Sequence, residues 1–286
     1  MSHLTYPIRG DKLSMTVSIR ERVHKRQTEF QEIEIVDTDV FGRMLLLDGH
    51  VQLAEMDEHA YHEALVHIPM LSIPEPKRAL VVGGGDGGVV RELVRHSSLQ
   101  EIHMVEIDKG VIEACSEHMS SLNNGAFRDP RLTLRIEDAF QFVKSATEPY
   151  DMIVLDSTDV YEGEDGNLSE ALFTRVFYND IKRLLSDKGM VVTQADNLVF
   201  CPYSMESIIE EFLAVFPHVG AYQALVPSFG GYSGYVWASK GATPTAALPL
   251  ERALPLGLRY LTATTWNLAF ENLSFGPPIA VELLTR

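Results

Sequence analysis

The sequence predicts an α/β protein: a mostly parallel, Rossmann-like sheet preceded by a small N-terminal antiparallel β domain. Three observations predict it. Residues 1 to 60 show strand-like alternation and a tight-turn pair. Strand and helix patterns alternate from Lys77 onward. Between them lies Ala79–Gly88, an apolar strand running straight into a glycine loop. The reading divides the chain into residues 1–60, the β domain, and 61–286, the catalytic domain.

In the first part, Ile33 and Ile35 sit between Glu32 and Glu34, an alternation of period two. Phe41–Leu47 is a second strand, and Asp48-Gly49 turns it into Val51-Gln52-Leu53. Glu58–Ile68 reads as a helix closed by Pro69 and Pro74. Strands are then expected at 79–82, 102–106, 132–136, 152–155 and 190–193. Helices are expected at 89–96, 110–119, from Ala139, at 174–185 and at 204–216. Residues 222–225 and 235–239 add strands to the sheet, and a helix is expected near Leu250. Repeated βα units imply a mostly parallel sheet covered on both faces.

Composition narrows the partners. Of 286 residues, 45% are hydrophobic and 22% charged, ordinary values for a globular chain. The formal net charge of −16 disfavours nucleic acid and anionic membrane. It is compatible with a polycationic substrate. Two cysteines, Cys115 and Cys201, do not make a disulfide framework. The start lacks signal-peptide regions, so a cytoplasmic protein is expected.

Gly83, Gly85 and Gly88 fit the dinucleotide pattern G-x-G-x-x-G. Asp86 inside the loop would repel a pyrophosphate and would suit a cation. Glu106, twenty positions on, stands where an acid accepts from ribose hydroxyls. Asp138 and Asp156 also follow strands, so four carboxylates are expected around one crevice. Asp156 and Asp159 form a close pair whose repulsion would raise the proton affinity of one, which suits a base. The acidic loop Val160–Glu170 reads as a lid or as a solvated loop. Tyr61 and His62 lie on the first helix, as packing residues or as site residues.

Together these residues resemble the spermidine synthases, or polyamine aminopropyltransferases. The resemblance runs through Leu47–Gln52, Glu55–Glu63, Val82–Gly88, Val105–Asp108, Asp129–Arg131 and Asp156–Asp159. It implies transfer of the aminopropyl group of decarboxylated S-adenosylmethionine to an amine, with release of methylthioadenosine. The amine is putrescine in the leading reading, with agmatine, cadaverine or a longer polyamine as alternatives. The donor is a co-substrate; no cofactor and no metal are implied, and a homodimer or homotetramer is. Asp156 is implied as the base. Gln31, His62, Asp86, Glu106 and Asp138 are implied as donor residues. Tyr61, Asp159, Asp196, Phe229 and Tyr232 are implied at the acceptor. The family's usual Pro-Thr-Tyr is Pro227-Ser228-Phe229 here, which leaves Tyr232 as the candidate phenol. Competing readings are an NAD-dependent oxidoreductase, an S-adenosylmethionine methyltransferase on the same fold, and a non-catalytic nucleoside-binding homologue.

Overall fold

A computed structural model of the chain describes residues 2–157, 172 and 174–271. Strands β1 (Ser2–Arg9), β2 (Leu13–Gln27), β3 (Glu32–Thr38), β4 (Gly42–Leu47) and β5 (His50–Ala54) form an antiparallel sheet in chain order. The Asp48-Gly49 turn is as expected. Leu47 pairs with His50, and both turn residues take left-handed φ values of 49° and 81°. β2 opens on an apolar alternation, Leu13, Met15, Val17 and Ile19, which buries Val17 and Ile19. Its second half is polar, and cross-strand ion pairs such as Lys25–Glu32 (2.8 Å) and Arg22–Glu34 tie that half to β3.

Helix α1 (Glu58–Ser72) is buried at thirteen positions, charged and polar side chains included. It does not close at Pro69. The ring removes one donor but keeps a helical φ, and tertiary burial carries the helix on to Ser72.

The second sheet contains β6 (Arg78–Gly83), β7 (Glu101–Glu106), β8 (Leu132–Ile136), β9 (Tyr150–Asp156), β10 (Leu185–Asn197), β11 (His218–Val226) and β12 (Gly231–Ser239). Their spatial order is β11-β12-β10-β9-β6-β7-β8. β6 to β10 are parallel, and β11 and β12 form an antiparallel hairpin at one edge. Alternation along β6 sends Ala79 and Val81 to a core with α1 and α2 (Gly88–Val94). Leu80 and Val82 go to a second core under α5 (Ala139–Ser145), α6 (Arg175–Leu184) and α7 (Pro202–Leu213). Helix α3 (Lys109–His118), followed by the short α4 (Ser120–Asn123), packs on the inner face of the first sheet, joining Val111 and Cys115 to Ile33 and Leu45.

The C-terminal stretch holds the helix expected near Leu250 (Leu250–Ala253) and a further one, Ala263–Ala269, which pattern did not announce. Glu63 of α1 secures it by accepting from the backbone N–H groups of Arg259, Tyr260 and Leu261 at 2.7–2.9 Å. Among the described residues no helix is long and apolar enough to cross a membrane.

Candidate active site

The strand order reverses beside β6, and the site lies there. Gly83 at the end of β6 pairs in register with Asp156 at the end of β9. Gly84 N–H donates to the Asp156 carbonyl at 2.9 Å. Gly83 has φ +80°, and a Cβ there would overlap that same carbonyl oxygen. The loop glycine is therefore required by the neighbouring strand end, before any ligand is considered.

A cavity of about 400 Å³ opens between this edge and the N-terminal sheet. The four strand-following carboxylates expected to converge, Asp86, Glu106, Asp138 and Asp156, all line it. Asp48 and Asp196 join them, and among the described lining residues there is no lysine or arginine. Gln31 reaches the wall from the first sheet and is held by its Nε2 donating to Asp108 at 3.0 Å. Burial raises the Glu106 carboxyl to about 7, although it accepts from Asp108 N–H at 2.9 Å. Asp138 caps α5 by accepting from Phe140 N–H at 2.8 Å while facing the cavity, so its capping and site positions coincide. Asp196 sits in a left-handed backbone conformation, φ 58°, and burial raises its carboxyl as well.

Tyr61 donates its phenolic hydrogen to Asp156 Oδ1 at 2.6 Å. Burial, with the charge of Asp86 adding to it, lifts Asp156 to about 6. The like-charge neighbour acting on Asp156 is thus Asp86. Asp159, expected in that part, lies outside the described residues, as does the acidic 160–170 loop.

Two expected site residues stand off the wall. His62 is 1% exposed and lies behind Asp86, its Nε2 3.3 Å from Oδ1 and its Nδ1 2.7 Å from Glu58. The ring packs over Gly88, where a Cβ would overlap it. Tyr232 does not line the cavity either. Side chains alternate along β12, and Ser233 takes the facing position. Phe229 does line it, with its ring edge-on to Tyr61 at 5.7 Å. The phenol that the sequence assigned to Tyr232 is absent from this wall; Tyr61 supplies one from the opposite side.

Sequence reasoning missed the framework around the acceptor end. Asp57 accepts from the N–H of Ser228 at 2.7 Å and from its hydroxyl at 2.9 Å. Tyr6 from β1 lines the cavity and donates to the Ser228 carbonyl at 3.0 Å. These partners are 171 and 222 positions apart, and no local pattern links them.

His62, Asp86 and Asp156 place one potential ligand atom each within 4.8 Å of one another. Burial disfavours a charged His62 ring, but Asp86 and Glu58 outweigh it and raise the ring to about 10.

The fold and the site together define a Rossmann-like protein whose cavity carries six carboxylates and, among the described lining residues, no lysine or arginine. Comparison with known proteins specifies the class. The Spermine/spermidine synthase domain family matches residues 58–247, and the Spermidine synthase tetramerisation domain matches 5–55. Relatives include the polyamine aminopropyltransferase of Clostridium tetani, 35% identical over 91% of this chain and 93% of its own. That of Bacillus subtilis is 35% identical over 94% and 96%. A spermidine synthase solved with the transition state analogue AdoDATO superposes with a TM-score of 0.89 at 27% identity, covering 96% of this chain and 93% of that one. The Thermotoga maritima spermidine synthase gives 0.86 at 26%, covering 96% and 92%. The chain belongs to the spermine/spermidine synthase family and is a polyamine aminopropyltransferase.

Proposed function

We propose that the enzyme transfers the aminopropyl group of decarboxylated S-adenosylmethionine to putrescine, giving spermidine and methylthioadenosine. The observation that carries this reading is the cavity lined by six carboxylates, among them Asp156, which burial and Asp86 raise to about 6. A protonated amine is not nucleophilic. Asp156, raised to about 6 and oriented by Tyr61, is suited to take that proton as the amine attacks the carbon beside the sulfonium. Asp86 offers its charge to the ammonium of the donor's aminopropyl arm. Glu106 and Gln31 are assigned to the ribose and nucleoside end, Asp138 to the adenine. Asp196, Asp159 and Phe229 are assigned to the acceptor end. Much of the acceleration would come from alignment, since a sulfonium is already an activated leaving group. The reading takes decarboxylated S-adenosylmethionine as a co-substrate and needs no further cofactor.

The apolar Phe229 in the wall, with Tyr232 off it, favours one second reading: a diamine with a longer methylene spacer, such as cadaverine. The match to a tetramerisation domain supports a homo-oligomer, a tetramer in preference to a dimer. The test is to incubate the protein with decarboxylated S-adenosylmethionine and a panel of amines, and to measure methylthioadenosine and each new polyamine. Putrescine is expected to give the highest kcat/KM. Methyl transfer from S-adenosylmethionine, without product from any amine, would overturn the reading.

A further inference from the structure

Behind the cavity runs a buried chain of charges that the transfer itself does not use. Asp86 faces the cavity and meets His62 Nε2 at 3.3 Å. His62 Nδ1 meets Glu58 Oε2 at 2.7 Å. Arg91 of α2 grips Glu58 with two nitrogens, at 3.1 and 2.8 Å. Arg91 is itself fixed, donating to the Leu122 carbonyl at 2.7 Å and to Glu92 at 2.7 Å. Helix α1 supplies Glu58 and His62, one turn apart. Helix α2 supplies Arg91, and its first residue, Gly88, is the floor under the imidazole ring. The side chains of His62 and Glu58 are 1% and 8% exposed, so water does not screen them.

We propose that Glu58, clamped by Arg91, is a positioning residue that holds His62 as a permanent imidazolium against Asp86, making a fixed cation part of the substrate site. The inference rests on the reading of Asp86 and Asp156 as substrate-facing groups and deepens it. Asp86 and Asp156 lie so close that one would otherwise retain a proton. A positive charge on the far side of Asp86 lets both be ionised before substrate arrives. It occupies Oδ1 of Asp86 and leaves Oδ2 to the incoming ammonium. The charged groups facing the ring are Glu58 on its own helix, Asp86 on the loop, Asp156 on β9 and Arg91 on α2. Three of the four are carboxylates, which is the environment that retains a proton on imidazole.

The test reads His62 directly, and its first part needs no substrate. In the folded wild type, side-chain ¹⁵N NMR of histidine should show His62 with both nitrogens protonated up to pH 8 or beyond. Glu58→Gln keeps the shape of the acceptor and removes its charge, so His62 should lose its proton at least ~1 pH unit lower. His62→Gln removes the cation, so the acid limb of kcat, set by Asp156, should move ~1 pH unit upward. A wild-type His62 that is neutral at pH 7 overturns the proposal. So does a Glu58→Gln variant whose His62 titrates as in wild type, or a His62→Gln variant that loses activity with its acid limb unmoved. The NMR result stands whether or not aminopropyl transfer is the reaction, so failure of one reading is distinguishable from failure of the other.

Discussion

The Tyr61 hydroxyl and Asp156 Oδ1 meet at 2.6 Å, joining a helix that precedes the Rossmann-like sheet to the end of β9. This bond stabilises the ionised carboxylate and partly offsets the effect of burial. Tyr61→Phe removes it. The acid limb of kcat is expected to move above the value near 6 set by Asp156, and kcat at pH 7 to fall ~10-fold, as for a lost hydrogen bond to a charge. A pH–rate profile of the variant checks this; an unmoved acid limb contradicts it.

Asp156→Asn should cut kcat at least ~100-fold, the scale of a lost general base. It should also stabilise the fold. The carboxyl holds its proton more tightly folded than unfolded, so the native state binds more protons between pH 4 and 6 and stability falls as pH rises through that window. At pH 7 the ionised group therefore carries a penalty, and its removal should add ~1–3 kcal/mol. Thermal melts of both proteins at pH 7 decide it. A less stable variant would contradict the penalty.

Asp57→Ala frees the Ser228 loop from its only described carboxylate partner. The amine KM is expected to rise ~10-fold or more, the scale of one charged hydrogen bond. Affinity for methylthioadenosine should stay within about twofold, because the loop borders the acceptor end. Steady-state kinetics with calorimetry separates the two, and an equal loss at both sites would argue against a local role.

Glu63→Ala leaves three backbone N–H groups at residues 259–261 without their acceptor. A loss of ~2–4 kcal/mol of unfolding free energy is expected. Urea denaturation measures it, and a change under 1 kcal/mol would show that the segment finds other partners.

The crevice was legible because it is built from strand ends. Four predicted strands are each ended or followed by an acid, and the rule for open α/β sheets brings those ends together. Asp86, Glu106, Asp138 and Asp156 share one cavity for that reason. That His62 and Tyr232 stand off the cavity wall was not legible, because sequence gives residue type and not the direction of a side chain. A one-residue alternation on β12 decides for Ser233, and a glycine floor draws His62 behind the loop. The polar second half of β2 and the Asp57–Ser228 link depend on partners on other elements, which periodicity does not register.

The acidic lining also bears on what leaves the site. In the proposed reaction the nucleoside departs as an uncharged thioether, while the polyamine departs with one more amine to protonate than the acceptor brought. The field that recruits the amine therefore holds the product more strongly than the substrate. Release of the polyamine is the step that field opposes, so turnover at low ionic strength should be limited by product departure, and added salt should speed it by screening.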